Sequence, residues 1–165
     1  MAKEYCFNPG DFAVYPTHGV GKVVEVTTEE ISGQKLSCVS VTFDKDRAVV
    51  RIPMTTMNKT GLRPLSSKSV MQSALSTLKG KPKIKKAMWS RRFQEYDAKI
   101  NSGDPCLIAE VVRDLHKPAE KGEQSYAERQ VFEQAFERLS HEFAACESIG
   151  NEEADARIKD ILMHR

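Results

Sequence analysis

The hydrophobic pattern of this chain changes its period once, close to residue 66. Before that point, apolar and polar residues alternate over short runs, as they do in half-buried β-strands, and Gly, Pro, Asn and Asp separate the runs. After it, apolar residues recur every three or four positions, as on the buried face of an α-helix. The sequence therefore predicts an α+β protein, with a β domain over residues 1–65 and an all-helical domain over residues 66–165.

The first domain is predicted to be a small, strongly bent sheet or partial barrel. Ser32-Gly33 separates two strand-like runs, residues 22–28 and 35–43, and this arrangement predicts a hairpin. Further short strands are expected at 12–15, 48–52 and 62–64, with Pro53 ending the second of these. Alternate residues of the second hairpin strand should share its buried face: Val39, Val41 and Phe43. Gly19 and Gly21 are expected where the chain bends or where two backbones come close.

Five helices are predicted in the second domain. The first is expected to end near Gly80, and Pro82 is expected to open the second as its first helical residue. Asp104 should cap the third helix, and Ser125 should cap the fourth as the first residue of a capping box. A last short helix is expected after residue 151. The buried face of the fourth helix is predicted to carry Phe132, Phe136, Leu139 and Phe143.

Residues 79–92, KGKPKIKKAMWSRR, contain seven basic residues, no acidic one and the only tryptophan of the chain. The net charge of +2 conceals this cluster, because residues 68–117 carry eleven basic and five acidic side chains, whereas residues 118–165 carry six and eleven. A local excess of this kind predicts binding of a polyanion such as a nucleic acid. The simpler alternative is a solvated helix face. The basic residues are Lys79, Lys81, Lys83, Lys85, Lys86, Arg91 and Arg92.

Trp89 admits two interpretations. Together with Phe93, Tyr96 and Ile100 it keeps helical spacing, so its ring could point into the core. Alternatively, a large flat ring among basic residues could stack on bases or wedge between base steps. The pattern by itself leaves both open.

Other classes of function have little support in the sequence. The cysteines at 6, 38, 106 and 146 are far apart and contain no CxxC pair, which argues against a zinc site and for reduced thiols in a cytosol. No phosphate loop, nucleophile elbow or HExxH motif occurs, so no enzyme, cofactor or metal is expected. The start of the chain lacks a signal peptide, no apolar run is long enough to span a membrane, and a cytoplasmic location is expected.

Several motifs together resemble the CarD/CdnL family of bacterial transcription regulators. They are residues 7–21 (FNPGDFAVYPTHGVG), 50–53 (VRIP), 89–92 (WSRR), 102–104 (SGD) and 109–115 (AEVVRDL). Each motif is short, but the combination is specific, and the resemblance covers about residues 5–148. Two positions depart from a member of the family: Gln94 stands where that member has a basic residue, and Glu29 stands where it has an arginine.

The resemblance implies that the N-terminal domain is Tudor-like and docks on the β subunit of RNA polymerase. It also implies that the helical domain contacts promoter DNA in the minor groove at the upstream edge of the melted bubble, with Trp89 as the wedge. We expect a monomer that needs no membrane. The expected DNA-binding residues are Lys83, Lys85, Lys86, Trp89, Arg91 and Arg92. The expected polymerase-binding residues are Val50, Arg51, Ile52 and Pro53.

Two rival functions follow from the same residues. A stand-alone architectural DNA-binding protein would use the same basic segment and wedge without polymerase. A reader of modified peptides would need an exposed aromatic cage, for which Tyr15 and Phe43 are the available rings, although packing in the core explains these two better.

Overall fold

The computed structural model describes residues 7–16, 18–43, 48–53, 61–83, 86–116 and 125–164. The chain divides into two compact units, with the boundary between Leu65 and Ser66. We call them the β unit and the helical unit. The first contains an antiparallel sheet and the second contains helices. The predicted fold class, an α+β protein with a small β-sheet followed by helices, is therefore confirmed.

The described strands of the β unit form one open sheet in the order β4-β3-β2-β1-β5, and every neighbouring pair is antiparallel. Strands β4 and β5 form its two edges. A β-bulge between Val23 and Glu25 interrupts the register of β2 against β3. The strands are β1 (Phe12–Tyr15), β2 (Gly19–Ile31), β3 (Gln34–Phe43), β4 (Ala48–Pro53) and β5 (Arg63–Pro64).

The predicted hairpin is formed by β2 and β3, and Ile31 pairs with Gln34 next to the turn. Both turn residues have positive φ, 55° at Ser32 and 80° at Gly33. Positive φ at both central residues is the conformation of a two-residue type I′ turn, whose twist matches that of the flanking strands. The turn was therefore predicted correctly, and both strands extend closer to it than the sequence indicated.

Three alternating residues of β3 form the centre of the β-unit core, as expected: Val39, Val41 and Phe43 are buried. Gly21 of β2 makes room for them. A Cβ atom at this position would lie 2.6 Å from Val41 Cγ1 and 2.7 Å from Phe43 Cε1. Gly19 has a φ of 84° and lets the chain turn into β2. The two glycines therefore have different roles, one for a close approach and one for a bend.

Five helices follow in the described part of the helical unit, and α3 is the most buried of them. It packs against α1, α2 and α4. Asp104 caps α3 by accepting the backbone N–H of Cys106, and Ser125 caps α4 by accepting that of Glu128, as predicted. The helices are α1 (Lys68–Leu78), α2 (Trp89–Asn101), α3 (Pro105–Leu115), α4 (Tyr126–Glu147) and α5 (Asn151–Met163).

The predicted start of α2 was wrong. The helix begins at Trp89 rather than at Pro82, because Met88 has ψ 148°, an extended conformation through which a helix cannot continue. Upstream of it, the backbone N–H of Lys83 donates to Asp114 Oδ1 of α3 at 2.9 Å. Helical spacing in the sequence predicts Ile84 and Met88 on the same buried stripe as Phe93, Tyr96 and Ile100, but Met88 is 80% exposed. Ile84, placed on the same stripe, lies outside the described residues.

The predicted buried face of α4 is confirmed at Leu139 and Phe143 and wrong at Phe132 and Phe136, where the buried residues stand one position earlier. Val131 and Ala135 are buried together with Leu139 and Phe143. Phe132 and Phe136 lie beside this stripe, half-buried, with ring centroids 5.8 Å apart. The small side chain of Ala135 faces the core, and the bulkier rings of Phe132 and Phe136 lie at the edge of the buried face.

Candidate nucleic-acid interface

Trp89 lies in the first turn of α2 and is half-buried. One side of its ring packs against the helical core, with ring centroids 6.1 Å from Tyr96 and 6.2 Å from Phe93. Its apolar neighbours on the outside are accessible, since Met88 is 80% and Phe93 42% exposed. The ring is thus anchored by the core, as the first interpretation expects, and it still reaches the surface, so the wedge interpretation stays a prediction.

Arg92 also packs on the tryptophan. Its guanidinium carbon lies 5.5 Å from the ring centroid of Trp89 and 5.6 Å from that of Tyr96. Its Nη2 donates to Tyr96 Oη at 3.1 Å, and its Nη1 lies 3.8 Å from Glu128 Oε1 on α4. The side chain is largely covered. Arg92 is therefore engaged within the protein, whereas the neighbouring Arg91 is exposed.

The start of α2 has the electrostatics of an anion-binding site. Within the described residues, Met88 provides no side-chain cap, and the first turn contains Arg91 and Arg92 but no acidic residue. Positive side chains at a helix N-terminus are unfavourable with respect to the helix dipole, which itself favours a negative group there. A bound phosphate would relieve this repulsion.

The lysine-rich segment before α2 is mostly accessible. Lys79, Lys81, Lys83 and Lys86 are exposed, and Lys85 lies outside the described residues. The predicted DNA-binding residues that the structure describes therefore divide into two groups. Lys83, Lys86 and Arg91 present charge to solvent, and Trp89 and Arg92 form a stacked, partly buried pair. Gln94 is also exposed on α2.

The four expected polymerase-binding residues lie on β4, an edge strand of the described sheet. Ile52 is buried in the core, so only its backbone could contact a partner, and half-buried Val50 packs against the same core. Arg51 is exposed on the opposite face, where it pairs with Ser40 of β3. The side chain of Glu29 lies outside the described residues, and its backbone pairs with Leu36.

Sequence reasoning missed Val49, which is 60% exposed on the same face as Arg51. The alternation of strand residues could have identified it, since Val49 and Arg51 are two positions apart. It also missed the exposure of Met88 and Phe93, for which the helical period gives no signal.

Among the described residues, Tyr15 and Phe43 do not form an exposed aromatic cage. Phe43 is buried, its ring centroid lies 6.3 Å from that of Tyr15, and the ring of His18 lies 5.0 Å from Phe43 and 5.3 Å from Tyr15. These rings pack on one another and on the core of the β unit. The interpretation of Tyr15 and Phe43 as packing residues is confirmed.

Cys106, at the start of α3, does not have the surroundings of an activated nucleophile. Burial raises the pKa of its thiol, and the negative charges of Asp104 and Glu110 act in the same direction. The thiol is therefore protonated at neutral pH, whereas reactive cysteines are thiolates.

None of the helices in the described ranges is long and apolar enough to cross a bilayer.

Comparison with known proteins agrees with the architecture. Residues 7–66 match the family model described as the CarD-like/TRCF RID domain, and residues 73–159 match the model described as the C-terminal domain of CarD. The fold and these matches define a transcription-associated factor related to proteins that interact with RNA polymerase. Since the second model covers more than half of the chain, the protein belongs to the CarD family, whose members are transcription regulators rather than typical enzymes.

Two similar proteins show how far the likeness extends. YdeB of Bacillus subtilis (strain 168), named as a candidate transcription factor, is 24% identical over 143 residues, which are 87% of this chain and 94% of YdeB. The solution NMR structure of the 72-residue N-terminal domain of Myxococcus xanthus CarD is 33% identical and covers 39% of this chain and 89% of that domain, with a TM-score of 0.31.

Proposed function

We propose that the protein binds the β subunit of RNA polymerase through its β unit and stabilises the promoter open complex through its helical unit. The observation that carries the DNA part is the placement of Trp89. It stands half-buried between Tyr96, Phe93 and Arg92, next to an uncapped, positively charged helix start. A ring fixed in this way can enter a distorted duplex edge without first losing its own conformational freedom.

Trp89 acts as a wedge because it binds open promoter DNA better than closed duplex. Inserting a ring between base steps requires unstacking, which costs a few kcal/mol in closed duplex and less where the bases are already separated. A group that binds the open complex better shifts the equilibrium by this difference. A preference of about 1.4 kcal/mol changes the open-to-closed ratio tenfold.

Contacts with phosphates position the protein on the DNA, but they do not select a base sequence. Lys83, Lys86 and Arg91 are exposed and are assigned this role, together with Lys85 by sequence alone. We assign Arg92 a different role. Because it stacks on Trp89 and bonds to Tyr96, it orients the wedge rather than gripping the backbone.

The β unit supplies the tether. Its edge strand β4 offers backbone hydrogen-bonding groups for strand addition, a common mode of peptide recognition. Arg51 and Val49 lie exposed on the same face and are the side chains assigned to the polymerase contact. Once the β unit is bound to polymerase, the contact of the helical unit with promoter DNA becomes intramolecular, so a weak DNA contact suffices. A protein that acts on polymerase would work in the bacterial cytoplasm at the nucleoid, and we propose that it acts there as a monomer.

Promoter opening tests the proposal directly. The open state is followed with a fluorescent base in the bubble, using polymerase and its primary sigma factor, with wild type and the Trp89→Ala variant. We expect wild type to lengthen the lifetime of the open state and Trp89→Ala to lose most of this effect while still binding polymerase. Met88→Ala removes the more exposed apolar side chain next to Trp89 and serves as the control.

Loss of polymerase binding by Trp89→Ala would assign the tryptophan to folding instead. No effect of the wild-type protein on the lifetime would contradict the proposal. Tight binding of bent or nicked DNA without polymerase would then favour the stand-alone architectural protein.

A further inference from the structure

Among the residues of the helical unit that the structure describes, one charged pair is almost completely buried. Arg113 and Asp114, next to each other near the end of α3, are only 8% and 6% exposed. The Nε of Arg113 donates to Asp114 Oδ1 at 2.8 Å. Buried ion pairs contribute little to stability, because removing two charges from water offsets their attraction. Stability alone therefore does not account for this pair.

The same carboxylate oxygen binds the lysine-rich segment. Asp114 Oδ1 also accepts the backbone N–H of Lys83, at 2.9 Å, across 31 positions of sequence. Gly80, three residues earlier, lies against the other partner, since a Cβ atom there would be 3.6 Å from Arg113 Cδ. The segment thus touches the buried pair at two points.

These contacts fix a stretch that has no secondary structure of its own. Residues 81–83 lie between α1 and α2 and belong to neither. Their side chains remain outside, with Lys81 and Lys83 both exposed. A charged hydrogen-bond acceptor holds a backbone donor more strongly than a neutral one does, and here the acceptor carboxylate is almost completely buried.

We infer that Asp114, oriented by Arg113, is a positioning residue for DNA binding, which holds the backbone of Lys83 so that the lysines of this segment meet successive phosphates. The inference rests on the proposed DNA contact of the helical unit. A loose lysine tail would bind DNA too, but it would lose chain entropy on every encounter. A segment fixed at Lys83 has already lost that entropy on folding.

Two substitutions at residue 83 separate the charge from the hydrogen bond. Lys83→Ala removes the side-chain charge and keeps the backbone N–H, whereas Lys83→Pro removes both. Binding to a fluorescein-labelled forked duplex is measured by anisotropy across a range of salt concentrations. The slope of log K against log[salt] reports the number of phosphates contacted, at about 0.9 per phosphate in B-DNA. A purely structural role of the hydrogen bond would change stability without changing this slope in the folded protein.

We expect Lys83→Ala to reduce the slope by about 0.9, and Lys83→Pro to reduce it by about twice as much or more, because neighbouring lysines lose their position as well. Lys81→Pro and Lys81→Ala form the matched control pair, since no hydrogen bond from the Lys81 backbone is found in the described residues. These two should give equal slopes. Equal slopes for Lys83→Pro and Lys83→Ala would overturn the inference and leave the proposed function standing. Absence of salt-dependent binding by wild type would overturn both.

A measurement on wild type covers the case in which Lys83→Pro fails to fold. Amide hydrogen exchange followed by NMR should show the Lys83 amide protected at least tenfold relative to an unstructured peptide, because the N–H is bonded to a buried carboxylate. An amide exchanging at the unstructured rate would overturn the inference without any variant.

Discussion

Arg91 and Arg92 are adjacent in the chain but have different surroundings. Arg91 is exposed on the first turn of α2, whereas Arg92 stacks on Trp89 and Tyr96, bonds to the tyrosine hydroxyl and lies 3.8 Å from Glu128. A sequence motif treats the two as equivalent basic residues. The structure separates a charge offered to solvent from a charge used to hold an aromatic ring.

This difference predicts opposite profiles for the two alanine variants. Arg92→Ala should lower the free energy of unfolding by about 1–2 kcal/mol, through loss of stacking and of one hydrogen bond. It should also shift the emission of Trp89, the only tryptophan, to longer wavelength. Arg91→Ala should change stability by less than about 0.5 kcal/mol and weaken DNA binding. Urea unfolding with fluorescence detection measures the stabilities and the emission shift, and DNA anisotropy measures binding. Equal stabilities of the two variants would contradict the assignment of Arg92 to holding the ring of Trp89.

At the scale of an element, α4 ends in a strained residue. Ser148 has φ 54° and ψ 44°, the left-handed conformation, and the N–H of Ile149 reaches back to the carbonyl of Ala144 at 3.0 Å. Glycine is the residue normally found at this position of a helix end. Ser148→Gly should therefore stabilise the helical unit by about 1 kcal/mol, measured by urea unfolding. Gln134→Gly, on an exposed position inside α4, is the control and should destabilise by about the same amount.

In the β unit, the contact between β2 and β3 depends on Gly21. A methyl group there would lie 2.6 Å from Val41 Cγ1 and 2.7 Å from Phe43 Cε1, both in the buried core. Gly21→Ala should destabilise the sheet by about 1–3 kcal/mol, because the core must shift to admit it. NMR signals of β3 residues during urea unfolding follow the β unit separately from the tryptophan. Val24→Ala, at the exposed bulge, should change stability by less than about 0.5 kcal/mol, and an equal loss in both variants would argue against close packing as the cause.

At the scale of the whole molecule, the two units are assigned separate tasks, so variants of each should fail differently. Arg51→Glu should weaken binding to polymerase about tenfold through charge reversal at the contact, while the helical unit stays folded and binds DNA as wild type does. Lys35→Glu makes the same change of charge on exposed β3 and should have little effect. Co-purification with polymerase and a titration against its β subunit measure this. Undiminished binding by Arg51→Glu would remove β4 from the interface.

Much of the fold could be predicted from the sequence because its causes are local. The Ser32-Gly33 turn, the alternation along β3 and the caps at Asp104 and Ser125 depend on residues a few positions apart. The basic segment and its tryptophan were equally visible, since charge and ring are properties of composition. The family followed from motifs spread over the chain.

Only the tertiary structure decided where α2 starts, which residues of α4 face the core and what surrounds each basic residue. Helical spacing continues upstream of Trp89, but a hydrogen bond from Lys83 to Asp114, 31 positions away, and the extended conformation of Met88 prevent the helix from continuing there. A period of 3.6 residues specifies a face of a helix to within about one residue, and packing of Ala135 chose between the alternatives. Trp89 and Arg92 gained their arrangement from Tyr96 and Glu128, on two helices. Local sequence sets which conformations are available, and contacts between distant residues select among them.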